Sequence, residues 1–230
     1  MFLTTEQICD QYAWLYTDLP TPVGCWDHII DLDGCYTGIK KVDGIDYVMF
    51  RGSTTFIDWI EDFAHFALPF PDGVLGGVHP GFRLGVLAVK DKIDGLVGDK
   101  VVCVGHSLGA GHAQLYAGYR MASGRPVQRI VVFGSPRPGC TVLSNLLTPI
   151  PIDSYRNTDD NGVDLVTKVP FAAPPMINYV QTRNFIDVKA VPANNDSWLV
   201  FKYHHFALYC EAFKAHGTAA QSLIDKLRKG

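Results

Sequence analysis

The chain has 230 residues, of which 47% are hydrophobic and 19% charged, with a formal net charge of -3 and a pI near 6.2. This size and composition fit a single globular domain over residues 1–230. This slightly acidic charge balance gives no sign of a basic surface for binding nucleic acid or an anionic membrane. No apolar run reaches about 18 residues, so no transmembrane helix is expected.

The N-terminal segment and the cysteines bear on location. The segment "MFLTTEQICDQYAWLY" has neither a basic leader nor a compact apolar stretch, so no signal peptide is predicted. We therefore expect a cytoplasmic protein, or one released by a non-classical route. Six cysteines are scattered without CxxC pairs or zinc-like spacing, and we expect them to be reduced.

Apolar strands alternate with amphipathic helices along the chain. The first elements are a helix over "TTEQICDQYAWLY", capped by Thr4 or Thr5, and a hairpin over "CYTGIKKVDGIDYVMF" that turns at Asp43-Gly44. A helix, a buried strand, a helix and a buried strand follow in "GFRLGVLAVKDKIDGLV", "DKVVCVGH", "SLGAGHAQLYAGYRMA" and "VQRIVVFG". Strands are predicted in "PIDSYRN" and "NFIDV", and helices in "FALYCEAFKAH" and "TAAQSLIDKLRK". This alternation predicts an α/β fold, with a sheet covered by helices on both faces.

The stretch "VVCVGHSLGAGHAQLYA" places Ser107 where a strand becomes a helix. A serine hydroxyl becomes a useful nucleophile only when it is exposed, held rigidly and placed beside a base. A sharp strand-to-helix turn provides the first two conditions and requires small neighbours, which here are Gly105 and Gly109. The alternative is a serine that merely caps a helix after a tight turn. The surrounding strand and helix favour a catalytic serine.

A nucleophilic serine needs a base and an orienting acid, which in such folds follow in the order Ser, Asp, His. The histidines after Ser107 are His112, His204, His205 and His216. His112 lies on the helix that leaves the turn, and His216 lies among charged and small residues, so the pair in "FKYHHFALY" remains. The acid candidates are Asp153, Asp159, Asp160, Asp164, Asp187 and Asp196, and spacing does not choose between them.

The stretch "TTFIDWIEDFAHFALPF" predicts an amphipathic helix that begins at a capping box of Thr55 and Asp58. Its apolar face carries Phe56, Trp59, Ile60, Phe63 and Phe66. This stripe is either packed permanently in the core or is a lid, shut over an apolar pocket in water and opened on meeting lipid.

Several ordered blocks of the sequence resemble the class 3 lipases, a fungal-type family of α/β hydrolases. The blocks are "VMFRGSTTFIDWIEDF", "VHPGF", "GHSLGAGHA", "VVFGSPRPG", "RNTDDNGVDLVTKVP" and "HHFALY", and they span about residues 45 to 210. The resemblance implies an α/β-hydrolase fold, with a mostly parallel central sheet, helices on both faces and a short helical lid at 54–66. One departure is Thr167, which stands where the family often has a proline.

The resemblance also implies the roles of individual residues. The matched acid is Asp164, and the histidine segment favours His204, with Tyr209 as its trailing aromatic residue, over His205. The oxyanion hole would use the backbone of Leu108 and of Ser53, which by itself reads as an ordinary turn residue at a strand end. The lid helix would contact substrate through Phe56, Trp59, Ile60 and Phe63.

These residues predict a serine carboxylic-ester hydrolase that forms an acyl-enzyme on Ser107. By resemblance, its substrates are acyl esters of glycerolipids, as for a triacylglycerol lipase or a phospholipase A, and it makes transient contact with lipid interfaces. Alternatives are a soluble short-chain or feruloyl-type esterase, acyl transfer to an alcohol, and a non-catalytic lipid-binding relative. No HExxH, Walker or dinucleotide motif is present, so we expect no metal and no cofactor. No protein partner is implied.

Overall fold

The computed structural model describes residues 1–53, 68–170, 178–192 and 202–229. The strands are β1 (His28–Leu32), β2 (Cys35–Val42), β3 (Ile45–Phe50), β4 (Phe70–Asp72), β5 (Gly76–Val78), β6 (Val101–His106), β7 (Arg129–Phe133), β8 (Ile152–Asp159), β9 (Gly162–Val163) and β10 (Ile186–Val188). The helices are α1 (Thr5–Ala13), α2 (Pro80–Asp94), α3 (Leu108–Ala122), α4 (Thr141–Leu146), α5 (Phe206–Ala212) and α6 (Thr218–Lys229), and a 3-10 turn covers Leu165–Lys168.

The central sheet has the order β1-β2-β3-β6-β7-β8-β10, with β9 attached to β8. Strands β3, β6, β7, β8 and β10 are parallel to their neighbours in this order. Strands β1, β2 and β3 form an antiparallel meander, and β9 pairs antiparallel with β8. Strands β4 and β5 form a separate two-stranded hairpin. The predicted α/β sheet of mostly parallel strands is therefore confirmed.

Helices cover both faces of this sheet because successive strand residues point to opposite sides. In β6, Val101 and Cys103 pack in the cluster that includes the buried faces of α2 and α3. Val102 and Val104 pack in the cluster that includes α1, α5 and α6. The apolar run at 101–104 in the sequence reflects this burial on both sides.

Local signals place the first elements as predicted. Thr4 is the N-cap of α1 and forms a capping box with Gln7, so Thr4 caps the helix and Thr5 begins it. Asp43 and Gly44 have φ values of 51° and 72°, the left-handed geometry that a two-residue hairpin turn requires. The strand β1, the hairpin β4–β5, the short strand β9 and the helix α4 were not predicted. Among the described helices, none is long and apolar enough to cross a membrane.

Candidate active site

Ser107 lies in the turn between β6 and α3, at the carboxyl end of a central strand. Its φ of 59° and ψ of -127° are unusual for a residue with a side chain, and such backbone strain costs about 1–3 kcal/mol. The surrounding structure holds this conformation: the Ser107 N–H donates to the Phe133 carbonyl at 3.1 Å. The residue is 2% exposed, and its Oγ makes no hydrogen bond to the part of the chain that the structure describes.

The two glycines of the motif are required by contacts with backbone atoms. A Cβ on Gly105 would stand 2.1 Å from the Gly109 carbonyl oxygen, and a Cβ on Gly109 would stand 1.9 Å from the Phe50 carbonyl oxygen. Neither neighbour can swing aside as a side chain would. The glycines therefore allow α3 to start directly against the ends of β3 and β6.

Asp164 and His204 form a buried hydrogen-bonded pair. The Nδ1 of His204 lies 2.9 Å and 2.8 Å from the two carboxylate oxygens of Asp164. The carboxylate also accepts from the Val166 N–H at 3.0 Å and from the Tyr209 hydroxyl at 2.7 Å. Because an ionised carboxylate only accepts, Nδ1 of His204 carries the proton, and its Nε2 has the lone pair that a general base needs.

The pair lies beside the serine turn. A Cβ on Gly134, the residue after Phe133, would stand 2.5 Å from Oδ2 of Asp164 and 2.8 Å from Cε1 of His204. The His106 ring, next to Ser107 in the chain, stacks on the His204 ring with centroids 4.5 Å apart. The structure therefore brings together Ser107, Asp164 and His204 at the carboxyl ends of the parallel strands.

The segment that contains Ser53 also lies at this site. A Cβ on Gly52 would stand 3.1 Å from the Ser107 Cβ, so the chain that leads into Ser53 passes directly against the serine. Leu108 is the first residue of α3, and the N–H groups of a first helical turn have no acceptor within the helix. The segment that leads into Ser53 and the first residue of α3, Leu108, are thus both neighbours of Ser107.

The other candidates are elsewhere. Two histidines, His205 and His216, are exposed, and His112 is buried beside Cys35, with its Nδ1 3.6 Å from the thiol sulphur. Burial lowers the pKa of His112 to about 4. Three of the acids are held by other partners: Asp153 by Arg129, Asp159 by Tyr203 and Asp187 by Arg156. Asp196 and the lid residues Phe56, Trp59, Ile60 and Phe63 lie outside the described residues.

Four residues around the pair form its hydrogen-bonded surroundings, and of these the sequence-based prediction names only Tyr209, as the trailing aromatic residue of the histidine segment. Asn157 is fully buried, and its side-chain amide nitrogen donates to the backbone carbonyls of Ala190 and Tyr203. Its backbone carbonyl accepts from the Asp164 N–H at 2.9 Å. The Tyr209 hydroxyl accepts from the Asn157 N–H and donates to Asp164. Tyr16 and His106 form a second set, described below. Asn157, His106 and Tyr209 lie inside the sequence blocks that carry the family resemblance, whereas no sequence signal marks Tyr16.

A serine on a strained turn between a parallel strand and a helix, beside a buried Asp–His pair contributed by later loop segments, defines the α/β-hydrolase class of fold. The family model of class 3 lipases matches residues 47–173, more than half of the chain. The chain belongs to the class 3 lipase family.

Individual relatives agree with this assignment. The chain is 34% identical over 146 residues to a secreted mono- and diacylglycerol lipase of Fusarium solani, covering 60% of this chain and 43% of that protein. It is 31% identical over 139 residues to a lipase of Rhizomucor miehei, covering 55% and 38%. The match thus spans about two fifths of the length of these relatives. The mono- and diacylglycerol lipase of Aspergillus oryzae has the same fold, with a TM-score of 0.58, 24% identity and coverage of 84% and 83%.

The expected location was wrong. A cytoplasmic protein was expected because the N-terminal segment lacks the pattern of a signal peptide, yet the Fusarium solani relative is a secreted lipase. The N-terminal segment instead forms α1, whose Ile8, Cys9 and Tyr12 are buried against the sheet. Its apolar residues are spaced for helix packing, so their pattern carries information about the fold and not about location.

Proposed function

We propose that the protein is a serine carboxylic-ester hydrolase that acts on acyl esters of glycerolipids. The observation that carries this proposal is the convergence of three groups: the strained Ser107, the hydrogen-bonded pair Asp164–His204, and the chain at Gly52–Ser53 packed against the serine. Membership of the class 3 lipases supports the ester substrate.

In the acylation step, Nε2 of His204 takes the Ser107 proton as Oγ attacks the ester carbonyl carbon. Asp164 keeps Nδ1 protonated and stabilises the imidazolium that forms. Collapse of the tetrahedral intermediate breaks the acyl carbon–oxygen bond, and the imidazolium returns its proton to the departing alcohol. A water molecule then repeats these steps on the acyl-enzyme, which releases the fatty acid and restores Ser107.

The charge that develops on the carbonyl oxygen needs donors aimed at it. We assign these to the backbone N–H groups of Ser53, which follows the Gly52 that packs against the serine, and of Leu108, which follows the serine in the chain. Donors that are fixed before the reaction stabilise the oxyanion without reorganisation, and loss of one typically costs about 3 kcal/mol of barrier.

The relatives and the sequence support a proposal for the substrate class. The Fusarium solani and Aspergillus oryzae relatives are mono- and diacylglycerol lipases, so we propose partial acylglycerols as the first substrates to test. We also propose that residues 1–230 form a single catalytic domain and that residues 54–66 form a lid helix whose apolar face meets lipid.

The test measures hydrolysis of emulsified mono-, di- and triacylglycerol, phospholipid vesicles and p-nitrophenyl acetate in parallel. We expect hydrolysis of acylglycerols, and Ser107→Ala to lose at least about 10³-fold in kcat because no nucleophile remains. The exposed Ser123 at the end of α3 provides a matched control, since Ser123→Ala leaves the site intact.

Labelling with a fluorophosphonate separates the alternatives. Wild-type protein should take up the label at Ser107 and Ser107→Ala should not. Equal labelling of both proteins would contradict a nucleophilic role and leave a lipid-binding protein. Strong hydrolysis of acetate with none of the acylglycerols would instead identify a soluble esterase.

A further inference from the structure

We infer that Tyr16 is a positioning residue for the reaction, which ties the oxyanion segment to the backbone of His204 through the His106 side chain. The inference rests on the proposed function. Four groups form one chain of hydrogen bonds: the Gly52 N–H, the Tyr16 hydroxyl, the His106 imidazole and the His204 carbonyl.

The direction of every bond in this chain is fixed by its last member. The His204 carbonyl oxygen can only accept, so Nε2 of His106, 2.7 Å away, carries a proton and donates. In the neutral ring Nδ1 is then an acceptor, and the Tyr16 hydroxyl donates to it at 3.1 Å. The Tyr16 oxygen in turn accepts from the Gly52 N–H at 2.7 Å. Each polar atom of the chain is satisfied only in this arrangement.

The chain requires His106 to remain neutral, and its surroundings enforce this. The residue is 5% exposed, and burial, assisted by the neighbouring His204 and His205, holds the pKa of His106 well below the ordinary value of 6.5. A second cation stacked on the His204 ring would oppose the imidazolium that forms in acyl transfer. His106 can therefore orient the base without competing with it for charge.

Aromatic packing fixes the Tyr16 ring in place. It stacks on Phe206, with centroids 5.5 Å apart and an interplanar angle of 21°, and meets the His106 ring edge-on at 5.9 Å. Tyr12, one turn earlier, accepts from the His106 N–H and donates to the Phe50 carbonyl. The N-terminal helix thus anchors the ends of both strands that frame the serine.

The chemical consequence concerns the transition state more than substrate binding. Gly52 precedes Ser53, so its hydrogen bond to the Tyr16 hydroxyl fixes the position of the proposed Ser53 donor. The hydrogen bond from His106 to the His204 carbonyl fixes the position of the His204 backbone. Loss of the hydroxyl leaves the Gly52 N–H and Nδ1 of His106 without partners. Because oxyanion stabilisation matters chiefly in the transition state, kcat should fall while KM changes little.

The experiment compares Tyr16→Phe with Tyr116→Phe, which also removes one buried hydroxyl, in that case from Asp94. Steady-state kinetics on a soluble p-nitrophenyl ester and the affinity of an alkyl boronic acid, a mimic of the tetrahedral state, are measured for both. We expect Tyr16→Phe to lose about tenfold in kcat and about tenfold in boronate affinity, with KM within about twofold. Tyr116→Phe should match the wild type in all three.

Two further measurements make the result decisive. Nitrogen-15 shifts of the wild-type histidines should show His106 protonated at Nε2, and protonation at Nδ1 would overturn the inference. If Tyr16→Phe does not fold, His106→Gln and His106→Phe are compared instead. Glutamine offers both a donor and an acceptor, so His106→Gln should retain a higher kcat than His106→Phe. Equal losses of kcat in the two variants would overturn the inference.

The outcomes also separate this inference from the proposed function. An active, labelled wild type together with full kcat in Tyr16→Phe overturns the positioning role alone. A wild type that neither hydrolyses esters nor takes up fluorophosphonate at Ser107 overturns the proposed function and, with it, this role.

Discussion

At the residue scale, the site depends on groups that have no freedom to adjust. Ser107 holds a positive φ because glycines on both sides let backbone atoms approach within distances that no Cβ would allow. Asp164 is fully buried, yet its carboxylate meets three donors, from His204, Tyr209 and Val166. Three donors hold the carboxylate in a single orientation toward the imidazole.

The Tyr209 hydroxyl tests how far this orientation matters. Tyr209→Phe keeps the ring and removes one donor to Asp164, a hydrogen bond to a charged group worth about 1.5–3 kcal/mol. We expect kcat to fall by roughly tenfold or more, while KM changes little. The matched control is Tyr119→Phe, which removes the same kind of bond from Asp72. A similar loss of kcat in both variants would point to general destabilisation instead of orientation.

At the element scale, periodic patterns predicted most helices and strands correctly, and the failures have a common cause. Strands β6 and β7 contain the apolar runs 101–104 and 130–133, which are buried on both faces of the sheet, so their patterns are strong. Strand β1 has only its central residue buried, and β4 and β5 have three residues each, too few for a period to appear. These short or exposed strands form because neighbouring strands supply partners for their backbone hydrogen bonds.

The helices α2 and α3 are joined by a buried ion pair that provides a stability test. Asp94 on α2 accepts from Tyr116 at 2.8 Å and from Arg120 at 3.3 Å, and Arg120 is 1% exposed. Asp94→Asn leaves the guanidinium buried without its counterion, so the free energy of unfolding should fall by about 3 kcal/mol. Urea unfolding measures this change. The exposed pair Asp18–Lys226 is the control, and a shift of the midpoint in Asp18→Asn as large as in Asp94→Asn would contradict the argument.

At the scale of the whole molecule, the site is assembled from segments that are far apart in the chain. Ser107 follows from a local motif, but Asp164 and His204 were chosen from several candidates only through a family resemblance. Tyr16 and His106 are separated by 90 positions, and His106 and His204 by 98. Contacts over such distances depend on the order of strands in the sheet, which no local pattern encodes. The sequence therefore predicted the class of reaction better than it predicted the residues, such as Tyr16 and His106, that hold the site in place.

Packing around the sheet buries three histidines whose pKa values are lowered, and their burial predicts how the stability of the protein depends on pH. Burial lowers the pKa of His79 to about 3 and of His112 to about 4, and it lowers that of His106 strongly. Below the unfolded value of about 6.5, the unfolded chain binds protons that the folded protein does not, so stability falls with decreasing pH. The stability is fully present above about pH 6.5, and each histidine removes up to about 1.4 kcal/mol per pH unit as the pH falls toward its folded pKa.

Urea unfolding between pH 7.5 and 4.5 checks this dependence. His112→Gln removes one of the three groups, so the stability of the variant should decrease with falling pH less steeply than that of the wild type, by up to about 1.4 kcal/mol per pH unit. The exposed His216 supplies the control, because His216→Gln leaves the buried histidines unchanged. Parallel pH profiles for wild type and His112→Gln would mean that His112 titrates alike in the folded and unfolded states. Such a result would contradict the account of a histidine kept neutral by the packing of α2 against α3.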